Sequence, residues 1–112
     1  MIAHKNRRQI LFAPEMFRAP GGIARVSRHY LQALAESRDG TELFAVILND
    51  QSIGKEALAS CHAETVPAIG CNRSKLRCAW ELFRATSGEH VHVVCTHVAL
   101  APLLNILRRI RP

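Results

Sequence analysis

Two segments of the chain carry groups that could bind an anion or a sugar hydroxyl. The first covers residues 14–22 and ends in the adjacent glycines Gly21 and Gly22, directly before a predicted helix. A glycine pair lets the backbone come close to a phosphate, and the N–H groups at a helix start point toward it. The alternative is that the pair only turns the chain. Neither GxGxxG nor GxxxxGK[ST] occurs, so the dinucleotide and P-loop fingerprints are absent.

The second segment is the end of a predicted strand, where His97 follows Thr96. An imidazole at this place can hydrogen-bond a sugar hydroxyl or a phosphate, although His97 could instead only begin the next helix. His90 and His92 have a spacing that can put both on one strand face, but no carboxylate accompanies them. The four cysteines contain no CxxC spacing. We therefore expect no metal site.

Apolar segments of two kinds must position these loops. Apolar runs at residues 9–13 and 43–48 predict buried strands, and residues 90–96 (HVHVVCT) are predicted as a further strand. A run at 64–69, interrupted by Pro67, predicts a strand at an edge of the sheet. The strands are separated by segments with helical periodicity, so the chain opens with a βαβ pattern.

The helices are predicted from apolar faces at helical spacing. The first follows the glycine pair, ends near Gly40, and has the predicted apolar face Ile23, Val26, Tyr30, Leu31 and Leu34. The second is capped by Ser74, ends near Gly88, and has the predicted apolar face Leu76, Ala79, Trp80 and Phe83. A third covers residues 99–110, and a weak helical pattern lies within residues 51–60.

Strands that are apolar on both faces, alternating with helices that are apolar on one, predict an α/β fold. We expect a Rossmann-like parallel sheet of about four strands with helices on both faces. Ligands of such sheets bind beyond the carboxyl ends of the strands. Residues 14–22 and His97 both fall at that edge.

Composition limits the classes of function. With 112 residues, 48% hydrophobic and 21% charged, the chain is predicted to be one packed domain rather than a disordered or fibrous protein. It shows no signal-peptide pattern and no run of apolar residues long enough to span a bilayer, so we expect a cytoplasmic protein. The net charge of +6 favours anionic partners. Few aromatic residues are present to stack on nucleic-acid bases.

Two parts of the chain, taken together, resemble the opening domain of group 1 glycosyltransferases, the retaining family with a GT-B fold. In that family a GG(I/V) turn leads into a helix with an (L/A)xAL pattern, and this chain has GGI at residues 21–23 and LQAL at 31–34. The segment VVCTH at 93–97, followed by LAPL at 100–103, is similar to the family's histidine-bearing fourth strand end. The family often has a second histidine where this chain has Cys95.

The resemblance implies roles for particular residues. Gly21 and Gly22 match the loop that approaches the donor diphosphate, and His97 matches the histidine near the transferred sugar. Glu15 and Arg18 lie in the same loop, match no fixed motif, and are candidates for the acceptor side. The implied partners are a nucleotide-sugar donor and a glycan or lipid-linked acceptor. No cofactor, metal or nucleic acid is expected.

The resemblance also implies that residues 1–112 are part of an acceptor-side N-terminal domain of an enzyme of polysaccharide biosynthesis. The family's C-terminal donor-binding domain has no counterpart in this sequence, so the chain alone is expected to be inactive. We expect self-association through an exposed sheet edge. Peripheral association with the inner face of the membrane is left open. The alternative hypothesis is a small basic α/β module that binds phosphate through the glycine pair or nucleic acid through its arginines.

Overall fold

A sheet of four parallel strands forms the centre of the molecule. The structure is a computed structural model and describes residues 7–17, 21–37, 41–86, 90–97 and 100–110. The strands are β1 (Arg7–Ala13), β2 (Glu42–Ile47), β3 (Ala68–Gly70) and β4 (His90–Cys95). Their order is β3-β2-β1-β4, and every pair is parallel. The predicted fold class is confirmed.

The helices cover both faces of this sheet. They are α1 (Gly22–Ser37), α2 (Lys55–Ala59), α3 (Lys75–Ala85) and α4 (Ala101–Ile110). One hydrophobic cluster joins α1 and α2 to one face of the sheet, and a second joins α3 and α4 to the other. The helices therefore enclose two separate cores with the sheet between them.

The middle strand β1 shows why the strands are apolar on both faces. Leu11 and Ala13 point into the α1/α2 core, whereas Ile10 and Phe12 point into the α3/α4 core. All four side chains are completely buried. Burial of alternate residues on opposite sides leaves no polar face, as expected for a central parallel strand.

The edge position predicted for the third strand is confirmed. β3 has three residues and, among the described strands, pairs only with β2. Pro67 directly precedes it and takes part through its carbonyl oxygen, which accepts the N–H of Ala45 at 2.9 Å. A proline has no N–H to contribute to a ladder, so its place at the entry to an edge strand fits its chemistry.

The buried face of α1 differs from the predicted one. Ile23, Val26 and Tyr30 were predicted to face the core, but their exposures are 42%, 46% and 48%. The residues that face the sheet are instead Ala24, Ser27 and Leu31, all completely buried. The small side chains at the first two of these positions let the first turns of the helix lie close to the sheet. The prediction of Leu31 and Leu34 is correct, because both pack against the core.

The buried face of α3 also differs from the predicted one. Leu76 and Trp80 are 86% and 58% exposed, and the fully or nearly buried side chains are Cys78, Leu82 and Ala85. The predicted N-cap is confirmed, since the Oγ of Ser74 accepts the N–H of Arg77 at 3.1 Å. The helix ends predicted at Gly40 and Gly88 lie outside the described residues.

Candidate functional site at the carboxyl edge of the sheet

The carboxyl ends of β1 and β4 are neighbours at a reversal of strand order. The chain moves outward from β1 to β2 and β3, and then returns to β4 on the other side of β1. Beyond the two strand ends, α1 packs on one face of the sheet and α4 on the other. In sheets of this type ligands bind at such a reversal, in the crevice outside the carboxyl ends of the two strands. We call it the β1/β4 crevice.

The glycine pair lies at the start of α1, on the β1 side of this crevice. Both glycines are exposed, and the carbonyl oxygen of Gly21 accepts the N–H of Arg25 at 3.0 Å. The first N–H groups of the helix therefore have no partner within the helix. Neither glycine has a left-handed φ, and a Cβ on either would meet no described atom within 4 Å. Thus neither backbone conformation nor packing within the described chain requires glycine here.

A hydrogen bond between two hydroxyls ties the two sides of the β1/β4 crevice together. The Oγ of Ser27 on α1 lies 2.8 Å from the Oγ1 of Thr96, which directly follows β4. Ser27 is completely buried, and the N–H of Thr96 donates to the carbonyl oxygen of Phe12 on β1 at 3.1 Å. Because Ser27 comes five residues after Gly22, about 8 Å along the helix, the bond fixes the helix start relative to the end of β4.

His97 lies next to this bond, on the β4 side of the crevice. Its carbonyl oxygen accepts the N–H of Leu100 and the thiol of Cys95, both at 3.1 Å. The first contact forms the turn that leads into α4, in agreement with the view of His97 as a helix-start residue. The second gives Cys95 a structural role at the position where the glycosyltransferase resemblance has a second histidine. The imidazole itself is half-buried.

A buried carboxylate fixes the loop after β1, and the sequence analysis did not single it out as a functional or structural residue. Asp50, 2% exposed, accepts the N–H of Met16 on Oδ1 at 3.3 Å and the N–H of Phe17 on Oδ2 at 2.9 Å. The guanidinium of Arg28 donates to the carbonyl oxygen of Met16 at 2.6 Å. One side chain after β2 and one on α1 therefore hold the loop that leads to the glycine pair. The only sequence signal was that Asp50 follows a predicted strand end.

The candidates for the acceptor side are only partly placed. Glu15 is half-buried, and its Oε1 accepts a hydrogen bond from the Nδ2 of Asn49 at 3.4 Å, which puts it toward β2 rather than β4. Arg18 lies outside the described residues. The structure thus puts the glycine pair and His97 at the same edge of the sheet, linked through the bond between Ser27 and Thr96, and puts Glu15 nearer to the end of β2.

Two open pockets lie at opposite edges of the sheet. One of about 430 Å³ is at the carboxyl edge and is lined by Phe17, Asp50, Gln51 and Ser52. The other, of about 540 Å³, is at the amino edge and is lined by residues that include Arg8, Phe44 and Glu81. Only the first adjoins the loop after β1.

The described ranges hold no group of three or more His, Cys, Asp or Glu side chains placed to bind a metal ion. Within the same ranges, no helix has the length and apolar character needed to cross a membrane. The groups at the β1/β4 crevice that a ligand could reach are the imidazole-bearing residue at a strand end and the N-terminus of a helix, and the bond between Ser27 and Thr96 ties the two sides together.

Compared with known proteins, the chain matches no family model, no curated protein and no solved structure. The glycosyltransferase resemblance therefore rests on the motifs at residues 21–34 and 93–103, and it stays a prediction.

Proposed function

We propose that this chain forms the acceptor-side domain of a retaining GT-B glycosyltransferase. Such an enzyme transfers a sugar from a nucleotide-sugar to a hydroxyl of a glycan or lipid-linked saccharide. The observation that supports this most is the bond between Ser27 and Thr96, because it holds the exposed glycine pair and His97 at one crevice. A nucleotide-sugar needs donors for its diphosphate and a polar side chain for its sugar. Both kinds of group are present there.

Each part of the crevice has a role in the proposal. The N-terminus of the 16-residue helix α1 supplies backbone N–H groups and the positive end of a helix dipole to the diphosphate. The absence of side chains at Gly21 and Gly22 leaves room for that approach. His97 supplies an imidazole that hydrogen-bonds a hydroxyl of the transferred sugar. Glu15 and Arg18 are proposed to contact the acceptor.

In the proposed reaction a bond forms between the acceptor oxygen and the anomeric carbon, and the bond from that carbon to the diphosphate breaks. The leaving diphosphate takes the electron pair, and the acceptor's proton goes to a base or to the leaving oxygen. Stabilising the charge of a leaving group is commonly the largest catalytic contribution. The chain supplies one helix start toward it, and a donor-binding domain would supply the rest. We therefore propose that the chain makes part of the contacts to the donor, those of the helix start and His97, and does not transfer the sugar alone.

Calorimetric titration with a panel of nucleotide-sugars and the matching nucleoside diphosphates tests this proposal. We expect Gly22→Val to abolish binding of both, because a branched side chain would cover the helix start. We expect His97→Ala to weaken the binding of nucleotide-sugars more than the binding of nucleoside diphosphates, which lack the transferred sugar that would contact the imidazole. Gly54→Val is the matched control, since Gly54 is an exposed glycine at the start of α2, away from the crevice.

Three outcomes would contradict the proposal. If Gly22→Val binds like the parent chain, the helix start is not the diphosphate site. If inorganic phosphate competes as well as any nucleotide-sugar, the alternative of a simple phosphate-binding module is favoured. Robust sugar transfer by the purified chain in a labelled-donor assay would disprove the view that it is one half of the catalytic unit.

A further inference from the structure

Helix α3 is apolar on two opposite faces, and only one of them is covered by the part of the chain that the structure describes. Successive residues of a helix are about 100° apart, so Leu76 and Trp80 lie opposite Cys78 and Leu82, which are buried in the core. The outward pair is 86% and 58% exposed. The indole of Trp80 stacks on the ring of Phe83 with 6.2 Å between centroids, which extends the apolar surface.

Helix α4 continues this surface. It packs beside α3 over the same face of the sheet. Ile106 is 56% exposed and lies on the side of α4 opposite Leu104, which packs against the core. The outward sides of α3 and α4 therefore form one layer with three large apolar side chains exposed to solvent. We call this layer, with its flanking cations, the α3/α4 face.

The positive charge of the molecule is concentrated in the same layer. Residues 71–86 and 100–110 contain six Arg or Lys and a single carboxylate, Glu81. The segments on the other side of the sheet, residues 22–37 and 51–67, contain three cations and three carboxylates. Within α3 and its N-terminal turn the exposed cations are Arg73, Lys75, Arg77 and Arg84. Most of the net charge of +6 thus lies on one side.

We propose that the α3/α4 face docks on the surface of an anionic lipid bilayer. Leucine and tryptophan side chains that project from a helix flanked by arginine and lysine match the chemistry of the headgroup region, where indole rings are favoured and cations contact lipid phosphates. Charge complementarity favours this partner. An uncharged protein surface could cover Leu76 and Trp80, but it would offer no negative groups to the cations around them. The inference is independent of the proposed transferase function.

Fluorescence of Trp80 tests the docking directly, because it is the only tryptophan of the chain. Vesicles of phosphatidylcholine mixed with phosphatidylglycerol should shift its emission to shorter wavelength, and brominated acyl chains should quench it. Vesicles of phosphatidylcholine alone should leave the emission unchanged. Raising the salt concentration should reverse the shift, because exposed charges are screened.

Matched variants separate the two components of docking. Leu76→Ser keeps the reporter and should weaken vesicle binding about tenfold. The triple variant Arg73→Gln, Lys75→Gln, Arg77→Gln should weaken it by about two orders of magnitude. All four side chains are exposed, so the fold is expected to persist, and circular dichroism checks it.

The control replaces partly exposed apolar residues on the other side of the sheet, where cations and carboxylates are equal in number. Ile23→Ser with Val26→Ser on α1 should bind vesicles like the parent chain. Any of three results would overturn the proposal: anionic vesicles that leave Trp80 emission unchanged, an emission shift that appears with protein concentration alone, or a larger shift with single-stranded RNA than with anionic vesicles. The first excludes a bilayer at this face. The others identify a second copy or a nucleic acid as the occupant.

Discussion

Asp50 is the side chain on which the geometry of the carboxyl edge depends most. It is buried and uses both carboxylate oxygens to accept backbone N–H groups from the loop after β1. Buried N–H groups that lose their acceptor keep the full cost of leaving water. The residue therefore acts by positioning the loop that leads to Gly21.

The first prediction concerns this carboxylate. Asp50→Ala should lower the free energy of unfolding by about 2–4 kcal/mol, since two bonds to a charged acceptor are lost. Urea denaturation measures the change. The neighbouring Gln51→Ala, at an exposed position, serves as control and should leave the parent value nearly unchanged. Equal stability of Asp50→Ala and the parent would show that the loop does not depend on Asp50.

Cys71 and Cys78 form a buried pair of thiols whose pKa values are shifted in opposite directions by the fold. The thiol of Cys78 donates a hydrogen bond to the sulfur of Cys71, which lowers the pKa of Cys71. The same bond, together with burial, raises the pKa of Cys78 far above its ordinary value of 9.0. A group whose pKa is raised on folding stabilises the native state below its unfolded pKa and loses that contribution as the pH rises. The lowered pKa of Cys71 acts with the opposite sign, and its contribution is complete by about pH 10, where the unfolded thiol has lost its proton.

The second prediction follows from the sign of this effect. Between about pH 10 and pH 11 the free energy of unfolding of the parent should fall more steeply with pH than that of Cys78→Ala. Leu82→Ala removes volume from the same cluster without removing a thiol and should keep the parent slope. Denaturant titrations at several pH values measure the slopes. If the free energy of unfolding of the parent and of Cys78→Ala falls with pH at the same rate, Cys78 is not the thiol that keeps its proton in the folded state.

At the scale of elements, the end of β3 lies in close contact with the backbone of the loop that follows β2. A Cβ on Gly70 would lie 2.4 Å from the backbone carbonyl oxygen of Asp50. Backbone atoms cannot move aside as a flexible side chain can. The glycine therefore allows the shortest strand of the sheet to close against the turn that carries Asp50.

The third prediction tests this approach. Gly70→Ala should lower the free energy of unfolding by about 1–3 kcal/mol, the usual cost of overpacking. Gly54→Ala is the matched control, because a Cβ there meets no described atom within 4 Å. Thermal denaturation of both variants gives the comparison. If the two alanine variants unfold at the same temperature, the end of β3 does not lie as close to the backbone of Asp50 as the structure has it.

The strands were predictable from sequence because a short run of apolar residues without polar alternation fits a strand that is buried on both faces. The second strand was predicted at residues 43–48 and is observed at Glu42–Ile47. The helix faces were harder, since α1 and α3 carry apolar residues on two sides and periodicity does not tell which side meets the sheet. Small residues such as Ala24 and Cys78 took the buried positions.

The site was predictable only to the level of its loops. Parallel strands bring all their carboxyl ends to one edge, so Gly21 and His97 had to fall there. The contacts that fix the crevice were not predictable. Ser27 and Thr96 are 69 positions apart, and Asp50 lies 33 positions from Phe17. No local pattern pairs residues across such separations.

At the scale of the whole molecule, the sheet ends in the two edge strands β3 and β4. Among the described residues β4 pairs with β1 alone, so one side of its backbone is open to another strand. Unprotected edges promote pairing between molecules. The self-association expected from the sequence stays a prediction, and β4 is the place where we expect it.

The fourth prediction is that the mass measured by light scattering rises with protein concentration and that His92→Lys reduces this rise. His92 is an exposed residue of β4, and lysine on an edge strand opposes pairing. Gln51→Lys adds the same charge away from the edge and should behave like the parent. A monomeric mass of the parent at every concentration would rule out association through this edge.

The most direct test of the central claim is to map ligand contacts by NMR on the labelled chain during titration with nucleotide-sugars of each common base. The proposal predicts that the backbone amides of Gly21, Gly22, Ser27, Thr96 and His97 shift together and saturate at one ligand concentration. Shifts confined to the α3/α4 face or to the pocket at the amino edge, or no shifts with any nucleotide-sugar, would contradict it.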